Sequence, residues 1–119
     1  MVKLGLCEGR HEIEGIDGYI FPTYFFSCGA DMFDYGRMYR RIKEVFGAYD
    51  IKSTENVEVA IYVTGFTPAL VEVLAYCFKE QIGVGLLHFN RDTSGYELQI
   101  PCCNFWRAEL KDGGYLREE

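Results

Sequence analysis

Apolar residues change their spacing several times along this chain, and the changes mark out its elements. Val57 to Val63 (V-E-V-A-I-Y-V) is a near-continuous apolar and β-branched run, the pattern of a strand covered on both faces. Thr64-Gly65-Phe66-Thr67-Pro68 then reads as a helix start. Gly65 permits a sharp turn, Thr67 is placed to cap, and Pro68 takes the first helical position, where its missing N–H costs nothing. Leu70, Val71, Leu74 and Cys77–Phe78 recur at helical spacing and predict the apolar face of that helix. Gly83 to Phe89 is a second apolar strand and Tyr96 to Ile100 a third. Strand, helix and strand in this order predict a right-handed crossover onto a parallel sheet.

Upstream, Val2 to Cys7 is placed as a first strand, Glu8 to Asp17 as a charged, glycine-containing connection, and Gly18 to Phe21 as a second strand ending at Pro22. The aromatic stretch Thr23 to Cys28 either extends that strand or forms a packed loop. Within Gly29 to Ala48 the period becomes helical. Tyr35, Met38, Tyr39, Ile42, Val45 and Phe46 fall on one side, while Arg37, Arg40, Arg41, Lys43 and Glu44 form a solvated face. Asp31 is the expected N-cap and Gly47 the frayed end. Asp50 to Asn56 is a loop. Asn104 to Leu110 is amphipathic, with Trp106 as its anchor, Asp112-Gly113-Gly114 is a turn, and residues 110–119 end in a charged tail. The expected architecture is a single α/β domain over 1–119. It has a mostly parallel sheet of four or five strands, two main helices and a C-terminal hairpin.

Composition narrows the partners. A length of 119 residues gives room for one domain, and 49% hydrophobic residues suffice for its core. A formal net charge of −6 argues against a large surface for duplex DNA or RNA. A small anion in a pocket remains compatible with it, because a helix N-terminus and one arginine serve such a ligand locally. The five cysteines (Cys7, Cys28, Cys77, Cys102, Cys103) form no Cys-x-x-Cys pair and read as reduced thiols of a cytoplasmic protein. Cys102 and Cys103 point to opposite faces of a continuing strand, which discourages a shared metal. The apolar N-terminal run is too short for a signal peptide and no stretch reaches transmembrane length, so no membrane association is expected.

Three stretches carry residue types suited to chemistry. The turn Thr64–Pro68 offers backbone amides and two hydroxyls to a phosphate, unless Thr67 is only a cap and Gly65 only a turn residue. It is neither a Walker loop nor a Gly-x-Gly-x-x-Gly fingerprint. Ligands of open α/β sheets collect at the carboxyl ends of the strands, where Thr64, His88, Asn90 and Arg91 would stand. His88-Phe89-Asn90-Arg91-Asp92 holds a candidate acid or base in His88, or a plain strand histidine, with Asp92-Thr93-Ser94-Gly95 as a hairpin turn. Glu8-Gly9-Arg10-His11-Glu12-Ile13-Glu14 could line a site or bind a metal, or be a surface loop; it lacks the second histidine of a His-Glu-x-x-His motif.

Over roughly Val57 to Gln99 the chain resembles the small CRISPR-associated ring nucleases related to the CRISPR-associated Rossmann-like domains. The likeness lies in the order of elements: an apolar strand, the turn Thr64-Gly65-Phe66-Thr67-Pro68, an amphipathic helix, an apolar strand, the arginine-containing turn Asn90-Arg91-Asp92 and a last strand. It implies a Rossmann-like sheet, a homodimer, and a turn and helix start that cradle cyclic oligoadenylate. Where that family carries a catalytic histidine early in the helix, this chain has Glu72, so binding carries over more readily than cleavage.

The leading expectation is therefore binding of a small nucleotide, a cyclic oligonucleotide signal of bacterial antiviral defence. Thr64, Gly65 and Thr67 would hold phosphate, Arg91 would neutralise charge, and His88 or Asn90 would contact base or sugar. A second expectation is a phage or mobile-element anti-defence protein that inhibits a nuclease by direct contact, supported by acidity and the aromatic stretch Tyr19–Phe26. A third is a metal-dependent phosphodiesterase, with manganese or magnesium and His11, Glu12, Glu14, Glu72 or His88 as its candidate groups. No resident cofactor or metal is expected under the first two.

Overall fold

The computed structural model describes residues 1–9, 12–27 and 31–102, with the backbone alone of Cys102. Arg10, His11, Cys28 and Cys103, the segment 104–110 with Trp106, the turn at 112–114 and the charged tail lie outside the described residues.

Five strands and two helices follow in the order β1 (Val2–Cys7), β2 (Gly18–Phe21), α1 (Tyr35–Ala48), β3 (Val57–Tyr62), α2 (Thr67–Glu80), β4 (Gly83–Asn90) and β5 (Gly95–Cys102). They form one sheet of order β2-β1-β3-β4-β5. The first four strands are parallel and β5 runs antiparallel to β4. This is the α/β architecture that the alternation of strand and helix periods predicts.

The crossovers β2–α1–β3 and β3–α2–β4 both step along the sheet in the same direction. Right-handed connections therefore place both helices on the same face. There the helices meet each other through Tyr76, whose ring lies 5.6 Å from that of Tyr39 and 5.3 Å from that of Phe46. The connection from β1 to β2 steps the opposite way, so the same rule carries its described residues, 8–9 and 12–17, across the other face. Asp17 closes that crossover, its amide and carboxylate both bonding the Lys3 backbone, at 2.7 and 2.8 Å.

The core fills the space between sheet and helices. Leu4, Leu6, Ile20, Val59, Ile61, Val84 and Leu86 meet Met38, Ile42, Val45 and Phe46 of α1 and Ala69, Val73, Tyr76 and Cys77 of α2, all buried. Each large apolar side chain contributes about 1.5–3 kcal/mol on burial. Packing of this kind, more than helix propensity, holds two 14-residue helices in place.

Several local expectations are corrected. Asp34, not Asp31, caps α1, accepting from the Arg37 amide at 3.0 Å; the Asp31 carboxylate instead accepts from the Phe33 amide in a preceding turn. Gly47 lies inside α1, which ends at Ala48. Thr23–Phe26 is neither strand nor plain loop but one turn of 3₁₀ helix. Arg37 and Arg41 are drawn partly inward: Arg37 stacks 3.7 Å from the centre of the Phe25 ring, and Arg41 Nε donates to the Ile20 carbonyl at 2.7 Å. On α2 the buried side is Ala69, Val73, Tyr76 and Cys77, while Val71 and Phe78 are more than half exposed. Finally, the described helices cover β3 on one face only. On the opposite face of the sheet Phe89, Tyr96 and Leu98 are exposed beside half-buried Tyr62 and Leu87.

Candidate functional site

The connections of β1 and β3 leave over opposite faces, so the carboxyl ends of these neighbouring strands form a topological switch point. Such a switch point is where open α/β sheets leave a crevice for a ligand. Here the switch point is formed by Cys7 and Glu8 at the end of β1 and by the turn Thr64–Pro68 after β3.

That turn is tied into the sheet. The Thr64 hydroxyl donates to the Cys7 carbonyl at 2.8 Å and accepts from the Cys7 amide at 3.3 Å, joining residues 57 positions apart. Gly65 has φ +81°, and a Cβ there would stand 2.9 Å from Cys7 Cβ, so both conformation and space call for glycine. The Phe66 amide donates to the Cys7 sulfur, which partly offsets the upward push that burial gives the thiol. Phe66, not Thr67, stands at the cap position of α2 and offers no side-chain bond; Thr67 is the first helical residue. The Ala69 and Leu70 amides return to the Phe66 carbonyl at 3.0 and 3.4 Å, and Pro68 has no N–H. The free donors are thus the Thr67 amide, an orphan of the first helical turn, and the exposed Thr67 hydroxyl, which bonds nothing among the described residues. Thr64, a candidate phosphate ligand, spends its hydroxyl on the backbone.

On the β1 side of the switch point Glu8 accepts from both the amide and the hydroxyl of Thr23 at 3.0 Å, pinning the end of β1 to the 3₁₀ turn. These two bonds hold its carboxyl below the ordinary glutamate value of about 4.3. A folded value below the unfolded one means that the tie stabilises the protein above the unfolded value and is lost as pH falls through the folded one. Carbon-detected NMR titration should place the Glu8 midpoint below that of an unfolded glutamate, and T23V, which removes the hydroxyl and keeps the amide, should raise it part of the way. A Glu8 midpoint unmoved by T23V would show that the hydroxyl contributes nothing and that the residue-23 amide alone lowers it.

Arg37 is the group that the sequence pattern did not single out. It belongs to the first turn of α1, and one of its guanidinium nitrogens, Nη1, is the sole buried side-chain N or O atom among the described residues without a hydrogen-bond partner. Phe25, beneath it, touches Phe26 at 4.9 Å, and Phe26 touches Phe66 at 5.4 Å. A continuous aromatic cluster therefore links Arg37 to the start of α2. Only the tertiary fold brings the two helix starts together.

The remaining candidates sit elsewhere. His88 lies on the helix side of β4, Nε2 being 2.8 Å from Gln99 Oε1 on β5. Asn90 donates to Glu97 at 3.2 Å and accepts from the Asp92 amide at 2.9 Å, bracing the hairpin turn in which Arg91 is exposed. No hydrogen bond or ion pair joins His88, Asn90 or Arg91 to Thr64, Gly65 or Thr67 among the described residues. Glu72 is half-buried on α2. No three His, Cys, Asp or Glu side chains among the described residues come together as a metal centre requires, and no helix is long and apolar enough to cross a membrane.

On the opposite face of the sheet lies a cleft of about 550 Å³, lined by Glu12, Ile13, Glu14, Tyr62 and Tyr96. The crossover after β1 supplies its acidic wall and the sheet its aromatic floor. Its members are scattered over 85 positions of sequence, so no spacing in the chain announces it. Comparison of the chain with protein-family models, with curated proteins and with solved structures finds no match in any of the three.

Proposed function

We propose that this chain binds a small nucleotide at the carboxyl edge of the sheet, its phosphate against the start of α2. The observation that carries this reading is the β1/β3 switch point. There the Thr67 amide and hydroxyl have no partner among the described residues, and the Arg37 nitrogen that likewise has none among them belongs to the neighbouring helix start. Amide and helix dipole both favour an anion, and a guanidinium supplies the charge. The ligand class is the one the sequence resemblance implies, a cyclic oligonucleotide of antiviral defence held by a Rossmann-like domain, with Arg91 reaching in from the hairpin. Turnover is not part of the proposal, since Glu72 replaces the histidine of the resembling family and His88 is engaged with Gln99.

A thermal-shift screen of the full chain against linear and cyclic nucleotides tests it. A ligand at about 100 times its dissociation constant stabilises the fold by about 2.7 kcal/mol. The double substitution T67A/R91A should abolish that shift and leave the ligand-free melting temperature unchanged, because both residues are exposed. No shift of the native protein with any nucleotide would overturn the reading. Loss with T67A alone and none with R91A would assign the charge to Arg37.

A second reading, a protein that acts by docking on another such as a defence nuclease, is favoured by a different observation. Phe89 and Leu98 on the helix-free face are 55% and 57% exposed, a cost in water that a partner would remove.

A further inference from the structure

We infer that the cleft on the helix-free face receives the cationic side chain, arginine or lysine, of a protein partner. The inference rests on the second, docking reading and not on nucleotide binding. Tyr62 and Tyr96 stand edge to face, ring centres 4.8 Å apart at 87°, and Tyr96 meets Phe89 at 5.4 Å and 67°. Both tyrosine rings line the cleft, and the electron-rich face of such a ring attracts an ammonium or guanidinium. Opposite them stand the exposed carboxylates of Glu12 and Glu14, neither in an ion pair or hydrogen bond among the described residues. Two carboxylates without an ion pair among the described residues, beside two aromatic rings, repel a phosphate and complement a cation.

A volume of about 550 Å³ exceeds what a free ammonium fills and suits a long side chain with part of its backbone. Beyond Tyr96 the apolar surface continues over Phe89 and Leu98, so residues flanking the cation find apolar contact as well. The molecule's net charge of −6 adds long-range attraction for a basic surface.

The test is aromatic-region NMR of the full chain titrated with the capped tripeptide acetyl-Leu-Arg-Phe-amide, its Leu-Gln-Phe counterpart and acetylarginine amide. The arginine peptide should move the Tyr62 and Tyr96 signals, bind at least about tenfold tighter than the other two probes, and weaken with added salt. E12Q/E14Q, confined to exposed side chains, should weaken it by about tenfold while the fold stays intact. Binding should persist in T67A/R91A, which separates this cleft from the nucleotide site. Equal affinity for the glutamine peptide, or none for any probe, overturns the cationic assignment. Equal affinity for acetylarginine amide overturns the protein partner. Concentration-dependent shifts of Tyr62 and Tyr96 without any probe would put a second copy of the chain on this face instead.

Discussion

Phe46→Ala is expected to lower the free energy of unfolding by about 3–5 kcal/mol, the cost of deleting a fully buried phenylalanine. Phe46 is 1% exposed and sits where the two helices meet, its ring at 83° to that of Tyr76. Its loss removes the transfer energy of the ring, the edge-to-face contact of about 0.5–1.5 kcal/mol, and the atoms that fill the gap between α1 and α2. The backbone of a packed helix pair relaxes only in part, so a cavity remains. For a domain whose total stability is of the order of 5–15 kcal/mol, the melting temperature should fall by about 10–20 °C. Phe78→Ala is the matched control: the same substitution at a residue 59% exposed should change stability by about 0.5 kcal/mol or less. Chemical denaturation of both variants decides the matter. Equal losses would mean that the burial pattern of the two helices is wrong.

The Phe46–Phe78 pair also shows what the sequence can and cannot reveal. In α1 the apolar positions alternate with a well-separated set of arginines and a lysine, so the pattern sets the phase of the helix, and Met38, Ile42, Val45 and Phe46 are buried as spaced. In α2 (T-P-A-L-V-E-V-L-A-Y-C-F-K-E) apolar residues run almost all the way round. With Glu72, Lys79 and Glu80 as its only charged residues, nothing polar fixes which stripe faces inward. The large residues Val71 and Phe78 attract the eye, yet the small Ala69 and Cys77 are what fit against the sheet. The strands were easier. Val2–Cys7 stops at a charged residue and Gly18–Phe21 at a proline, and both end where those signals stand.

A similar limit explains the uncovered sheet face. A continuous apolar strand satisfies two buried faces or one buried face and one exposed face, and the two cases are written alike. β4 belongs to the second case, for Phe89 points away from the helices, as does Leu98 of the neighbouring β5. The candidate site was legible as a turn, because glycine, threonine and proline have local roles. Its closure by Cys7 and its link to Arg37 through Phe25, Phe26 and Phe66 depend on long-range contacts that no local pattern records. The hydroxyl of Thr64 illustrates this: as a residue type it suits phosphate, and its position commits it to the Cys7 backbone.

Gly65 is where fold and site depend on the same atoms, and Gly65→Ala should cost about 2–4 kcal/mol. Two effects add. At φ +81° an L-residue pays about 1–3 kcal/mol of backbone strain, and the new methyl stands 2.9 Å from Cys7 Cβ, closer than real side chains approach. Relief would require the turn to move away from β1, which breaks the bonds from Thr64 to the Cys7 backbone and frees the Phe66 amide from the sulfur. Cys7→Ala leaves the clashing Cβ in place, so the pair Cys7→Ala/Gly65→Ala should show no rescue in a double-mutant cycle. Gly65→Asn separates the two effects, since asparagine tolerates positive φ and keeps the clash. It should fall between glycine and alanine. If instead all three residues give equal stability, the turn is not held against β1, and the proposed nucleotide site would lose its rigid wall. A stable Gly65→Ala protein that still binds a nucleotide would likewise mean that the turn is loose, and would leave the ligand class standing. Stability and affinity should be measured on the same preparations, because only their joint loss ties the ligand to this turn.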